Sequence, residues 1–147
     1  KGNISECKAF YGMTSHAHGV DADIQDEEDI YESAKWLKDM ALNLGCVVVC
    51  SGKIDVITDG KEVNLISNGC GMLSRITGTG CMLNVAIATF LASFPPLNAC
   101  VKATCYYEVA AEKTECSGPG TFHMHFLDEI YKLTSFDESL FKIEVLG

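Results

Sequence analysis

Residues Gly45-Cys46-Val47-Val48-Val49-Cys50-Ser51-Gly52 decide the fold. Five consecutive apolar positions centred on three valines describe a strand buried on both faces, the kind found inside parallel sheets. Before it, Ile30, Ala34, Leu37, Met40, Ala41 and Leu44 recur at spacings of three and four. That period, with Asp and Glu crowding the first turn and Gly45 after the last, predicts an amphipathic helix over Asp26 to Leu44 lying on a sheet. A helix running straight into a fully buried strand is half of a βαβ unit, so the expected class is α/β. Further back, Asn3 to Tyr11 reads as the end of another helix, closed near Gly12.

Working forward, Ile54 to Thr58 and Glu62 to Ser67 flank Asp59-Gly60, the signal of a two-residue type I′ hairpin. From Met82 to Phe94 only Asn84, Thr89 and Ser93 interrupt the apolar residues. A helix apolar all round is expected to be central and buried. Pro95-Pro96 ends it, Leu97 to Lys113 forms the next helix, and Ser117-Gly118-Pro119-Gly120 breaks the chain. Thr121 is the expected N-cap of a last helix carrying Phe122, Phe126, Leu127, Ile130 and Leu133 on one face. The tail from Phe136 to Gly147 has no decisive pattern. About five helices against three or so strands is too little sheet for so apolar a helix, which implies further strands on the N-terminal side. With no repeat, low-complexity tract or linker, residues 1–147 read as a single domain or a portion of one.

The 147 residues are 48% apolar and 21% charged, enough to bury a core and unlike a disordered chain. The net charge of −9 repels phosphate backbones and anionic lipid, so no nucleic-acid or membrane partner is expected. No apolar run reaches the ~18 residues of a membrane span. Lys1 to Cys7 lacks the apolar stretch of a secretory signal, and a cytoplasmic location is expected. Eight cysteines occur without a C-x-x-C pair. Cys46 and Cys50, four residues apart in a strand, would be separated by about 13 Å, beyond the ~7 Å reach of a disulfide. Cys100 and Cys105 would face different ways on a helix, about 140° apart. Most of the eight therefore read as small buried apolar residues in a reducing compartment. The pairs His16/His18 and His123/His125 are weak candidates for zinc, because a helix turns x-spaced ligands to nearly opposite sides. The one arginine, Arg75, lies just before the Gly-rich stretch; its role is left open.

Ile76-Thr77-Gly78-Thr79-Gly80-Cys81 runs directly into the apolar helix. Small residues let successive backbone N–H groups turn toward one point, and the helix start adds partial positive charge, so the segment reads as an anion hole. It has neither the Lys-Ser/Thr ending of a Walker A loop nor the spacing of a dinucleotide fingerprint. Cys81 in the first turn supplies a thiol placed to act as base or nucleophile.

These residues resemble the ribokinase-like kinases, which place a Gly-x-Gly anion hole before a helix and a base, usually Asp, immediately after it. G-T-G-C occurs in both hydroxyethylthiazole kinases and hydroxymethylpyrimidine kinases. Three further segments resemble the former: Lys1-Gly2-Asn3-Ile4-Ser5-Glu6 is similar to its R/K-G-N-x-S-E, Ser51 to Gly60 to its T-G-x-x-D-x-I-x-D-G, and Gly118-Pro119-Gly120-Thr121-Phe122 to its G-P-G-[ST]-F. The resemblance spans the whole chain and about the C-terminal half of that enzyme. It implies the C-terminal portion of a three-layer αβα ribokinase-like sandwich that transfers the γ-phosphoryl group of ATP, with Mg²⁺, to 4-methyl-5-(2-hydroxyethyl)thiazole in thiamine salvage. It implies Cys81 as catalytic base, Gly78, Thr79 and Gly80 at the phosphate, and Gly78 also at the acceptor. Lys1, Asn3 and Ser51 would contact ATP, with Lys1 replacing the usual Arg and Ser51 the usual Thr, and Glu6 would serve the metal. Read without the resemblance, Asn3 is a helix cap and Glu6 a surface residue. A homo-oligomer, a trimer, is implied as well. The rival readings are a hydroxymethylpyrimidine or pyridoxal-type kinase, a non-catalytic anion-binding fragment of the same fold, and, last, a cysteine-based redox or metal protein.

Overall fold

The computed structural model describes residues 1–13, 29–132 and 137–147. His16, His18, the expected helix start at Asp26 and Leu133 lie outside them. The chain forms two compact units, Lys1–Leu65 with Ile143–Gly147, and Ile66–Lys142.

The first unit begins with β1 (Gly2–Asn3), α1 (Ile4–Tyr11), α2 (Ile30–Leu44) and β2 (Val48–Ser51). β1 and β2 are parallel, with Gly2 opposite Cys50 and Asn3 opposite Ser51, so the expected βαβ unit is present. Its first strand is missing from the sequence reading because two residues cannot display a period. Asn3 is at once the end of β1 and the N-cap of α1, and Gly12, at φ +78°, closes that helix. α2 is capped by Asp29, whose carboxylate accepts from Tyr31 N at 3.0 Å.

The buried strand starts later than the apolar run does. Gly45 N donates to Leu42 O and Cys46 N to Ala41 O, so the helix-closing motif uses Cys46, which is left exposed. The sheet continues in the order β1-β2-β3-β4-β5, with β3 at Asp55–Thr58, β4 at Val63–Ile66 and β5 at Ile143–Leu146. β2 and β3 are antiparallel, with Val49 opposite Ile57. The undecided tail thus supplies an edge strand. Leu37, Met40 and Ala41 of α2 pack with Cys7, Val48, Cys50, Val56, Val63 and Leu65 into the core.

The connection from β3 to β4 is not a two-residue type I′ turn. Four residues, Asp59 to Glu62, separate the strands, and only Gly60 has positive φ, whereas a type I′ turn needs both central residues there. The carboxylate of Asp59 is the cause: its Oδ1 accepts from Lys61 N and Glu62 N at 2.9 and 3.0 Å and holds a wider loop.

The second unit contains α3 (Thr79–Leu91), α4 (Pro96–Lys113) and α5 (Pro119–Lys132). The expectation of a central, buried α3 is overturned: Leu83 and Ile87 are buried, but Val85 is 68% exposed and Leu91 46%. The buried helix is α4, against which both α3 and α5 pack. Ala99, Cys100, Ala103, Cys105, Ala110 and Ala111 are all buried, small enough to let neighbours approach. An apolar composition therefore marked the wrong helix; side-chain size on α4 was the better guide. Thr121 is not the N-cap of α5, which starts two residues earlier. Its Oγ1 instead accepts from Ser117 N and Gly118 N and donates to Gly118 O, fastening the turn that leads in. On α5, Phe122 and Phe126 are buried, while Leu127 is exposed. No helix among the described residues is long and apolar enough to cross a membrane.

Candidate active site

In the first unit the candidate residues gather at the carboxyl ends of the parallel strands β1 and β2, where open α/β sheets place ligands. Asn3 and Ser51 are direct partners across the ladder. Lys1 Nζ donates to Ser51 Oγ at 3.3 Å, and that hydroxyl donates to Gly2 O at 3.4 Å. Asn3 Oδ1 accepts from Glu6 N, and Glu6 Oε2 accepts from Asn3 N, both at 2.8 Å. This reciprocal capping box is the purely structural role for Asn3, and it commits one carboxylate oxygen of Glu6. Glu6 is exposed. A cation and a hydroxyl beside an oxygen-rich helix start form a polar platform of mixed sign.

Beneath it lies a contact with no signal in the sequence. Cys7 follows Glu6, Cys50 precedes Ser51, and their thiols share a hydrogen bond although they stand 43 positions apart in the chain. Cys50 is the donor to Cys7, and that bond together with burial holds Cys50 well above the usual thiol range, as a protonated thiol. All eight cysteines are free; Cys7, Cys50, Cys100 and Cys105 are buried, and Cys46, Cys81 and Cys116 exposed.

In the second unit Gly78, at φ +98°, introduces α3. An L side chain there would be strained, although nothing lies within 4 Å of its absent Cβ. No side chain caps the helix, and the N–H groups that a first turn leaves without intrahelical partners belong to Thr79, Gly80 and Cys81. Thr79 Oγ1 donates to Leu73 O at 3.0 Å and Ile76 O at 3.3 Å, tying the loop to the 3-10 turn Leu73–Arg75. Arg75 and Cys81 are exposed.

α4 supports this loop from one face. Glu112 Oε1 accepts from Gly69 N at 2.9 Å, Ala111 O accepts from Cys70 Sγ at 3.6 Å, and Tyr107 donates its hydroxyl to Thr79 O at 2.9 Å. Burial and the neighbouring Glu108 carboxylate push the Tyr107 phenol above its usual range, so it stays a donor. Tyr107 was not a candidate from sequence; an aromatic among alanines and cysteines was its only mark.

Among the described residues no three His, Cys, Asp or Glu side chains are grouped to hold a metal, and His125 Nδ1 lies 2.7 Å from Glu115 O. A hard cation is a different case. Mg²⁺ asks for oxygen, keeps several waters and needs only one or two carboxylates beside a phosphate ligand. The second oxygen of the exposed Glu6 carboxylate fits that requirement.

A parallel strand pair with polar residues at its carboxyl ends, and a glycine-introduced helix start carrying a thiol, define an α/β protein equipped to hold anions. The comparisons narrow that class. The description "Hydroxyethylthiazole kinase family" matches residues 1–136. Hydroxyethylthiazole kinase 2 of Clostridium botulinum (strain 657 / Type Ba4) is 38% identical over 138 residues, covering 91% of this chain and 52% of that protein. Hydroxyethylthiazole kinase of Pyrococcus furiosus is 40% identical over 149 residues, covering 99% and 55%. A solved hydroxyethylthiazole kinase from Pyrococcus horikoshii OT3 superposes with a TM-score of 0.74 at 30% identity, covering 80% of this chain and 48% of its own. The chain belongs to the hydroxyethylthiazole kinase family. It spans about half the length of the curated relatives it matches.

Proposed function

We propose that residues 1–147 are the C-terminal half of a hydroxyethylthiazole kinase domain. That kinase phosphorylates the primary alcohol of 4-methyl-5-(2-hydroxyethyl)thiazole from ATP, for thiamine salvage. The observation that carries this reading is an exposed Cys81 in the uncapped first turn behind Gly78, in a chain that matches the kinase family over residues 1–136.

Lys1 and Ser51 bind the nucleotide, the ammonium through charge and the hydroxyl through a hydrogen bond; their mutual contact supports a shared task. Asn3 orders the start of α1 beside them and presents Glu6. Mg²⁺, when bound, offsets the negative charge of the triphosphate, and Glu6 would hold it through its uncommitted oxygen. The N–H groups of Gly78, Thr79, Gly80 and Cys81 stabilise charge on the transferring phosphoryl group, and their dipoles are fixed before the reaction. Gly78 also borders the acceptor. Cys81 accepts the proton of the acceptor hydroxyl. Because phosphoryl transfer passes through a loose transition state, proton removal can come late and a weak base suffices. Cytoplasmic location and assembly as a homotrimer belong to the same reading; light scattering reads the latter.

The test is turnover of ATP with the thiazole alcohol beside 4-amino-5-hydroxymethyl-2-methylpyrimidine, with products identified by mass spectrometry. Phosphorylation of the thiazole alone is expected. Phosphorylated pyrimidine instead would reassign the chain to the sister kinases, and nucleotide binding without turnover on either would make it a non-catalytic fragment.

A further inference from the structure

We infer that Tyr107 is a positioning residue for phosphoryl transfer, holding the Gly78–Cys81 loop through its hydrogen bond to the Thr79 carbonyl. The inference rests on the proposed reading of that loop as the phosphoryl site, and it adds a residue on a different helix. Tyr107 is 3% exposed and its hydroxyl is 2.9 Å from Thr79 O. Its ring meets the edge of Phe126, centroids 4.8 Å apart at 84°, and Phe126 stacks on Phe122 at 5.4 Å. The phenol is therefore aimed by three packed rings from α4 and α5.

The bonded atom matters. Thr79 is the first residue of α3, and its carbonyl belongs to the peptide unit whose N–H is that of Gly80. Peptide planarity couples the two ends: fixing the carbonyl direction fixes the opposing N–H direction. A buried hydroxyl pulling on Thr79 O from the α4 side thus orients the Gly80 N–H away from it. As the first residue of α3, Thr79 also offers this carbonyl to the helix N–H four residues on, so the tyrosine hydroxyl is its second donor and the one that comes from outside the helix. Gly78 and Gly80 carry no side chains, and the Thr79 hydroxyl is directed back to Leu73 O and Ile76 O. Tyr107 and Ala111 are four residues apart on α4, one turn, and so share a face. The Cys70 contact to Ala111 O lies one turn further along α4, and Glu112 beside it takes the Gly69 N–H. Those two hold the segment before the loop, and Tyr107 alone of the three reaches the helix start. Because Tyr107 touches no reacting atom, its effect passes entirely through Thr79.

The test compares Tyr107→Phe with Phe126→Leu in the intact protein. Tyr107→Phe keeps the ring and removes only the donor. It should lower kcat about five- to tenfold while leaving KM for ATP within about twofold, the loss of one oriented hydrogen bond. Amide hydrogen exchange in the peptide covering Gly78 to Met82 should quicken at least about fivefold, with exchange around Phe122 and Phe126 unchanged. Phe126→Leu loosens the aim of the phenol but leaves the hydroxyl; it should lower the melting temperature and cost clearly less kcat than Tyr107→Phe does. Unchanged loop exchange in Tyr107→Phe, or equal kcat losses in the two variants, would overturn the inference. If the unsubstituted protein has no turnover, the kinase reading fails, while the exchange experiment still decides whether Tyr107 holds the loop.

Discussion

Cys81 is the residue on which the chemical reading turns, and its environment sets how much its loss should matter. A general base contributes up to about 10⁴-fold, but a loose transition state asks less of it. Cys81→Ala should therefore lower kcat by less than that limit, and Cys81→Asp should retain substantial activity because a carboxylate can occupy the same exposed first turn. Single-turnover rates check both; an Asp variant that binds ATP and alcohol yet transfers nothing would remove Cys81 as proton acceptor. The other thiols provide a comparison on the same molecule. Iodoacetamide should label Cys46, Cys81 and Cys116 within minutes and Cys50 and Cys105 at least about a hundredfold more slowly, as read by peptide mass spectrometry. Labelling of Cys50 should stay slow between pH 8 and 9.5, because its hydrogen bond with Cys7 and its burial keep it protonated. Rapid labelling of Cys50 would mean that the α1–β2 layer opens readily.

At the scale of elements, the turn between β3 and β4 makes the sharpest demand. Gly60 sits at φ +88°, and a Cβ there would lie 2.7 Å from Leu42 N and 2.8 Å from Leu42 Cα. Gly60→Ala must relieve both the conformational strain and a backbone clash with α2, at a cost of at least about 2 kcal/mol. A melting temperature unchanged by that substitution would show that the turn does not press on the helix. At the start of α1, Asn3→Ala opens the capping box and should cost about 1 kcal/mol, with Asn3→Asp recovering most of it in denaturant titrations. An Asp there that restores stability but not the affinity for ATP would separate the cap from the proposed contact with the nucleotide. These elements differ in how far the sequence revealed them. The α2–β2 passage was legible because periodicity and the closing Gly45 are local. β1, at two residues, and β5, at the edge, were not, since pairing with a distant partner makes them strands. The hairpin signal at Asp59-Gly60 located the turn but misjudged its type, because an Asp side chain bonding two following N–H groups competes with the tighter form.

Across the whole molecule, motifs were the legible part of the candidate site and contacts the illegible part. Lys1, Asn3, Glu6 and Ser51 could be singled out only because the segments that carry them resemble the family's motifs, and the parallel register of β1 with β2 is what brings them together. Tyr107 and the Cys7–Cys50 pair lay beyond reach because each depends on residues far away in sequence meeting in the core. Such buried titratable groups also set how stability should vary with pH. Cys100 is raised above the ordinary thiol value near 9 by burial, and Tyr107 above the ordinary phenol value near 10 by burial and Glu108. Below pH 9 folded and unfolded chains both keep these protons, and the contribution is fully present. Above it the unfolded chain releases them while the fold retains them, so the native state binds more protons and stability falls as pH rises. Each such group removes up to about 1.4 kcal/mol per pH unit once its unfolded form ionises. Under reducing conditions the melting temperature should therefore hold from pH 7 to 8.5 and then decline steeply toward pH 10.5. Cys100→Ala should flatten that decline from pH 9 and Tyr107→Phe only above pH 10, the thiol and the phenol each acting from its own ionisation range. A melting temperature that stays level through pH 10.5, or that declines identically in both variants, would show that these buried groups do not govern alkaline unfolding.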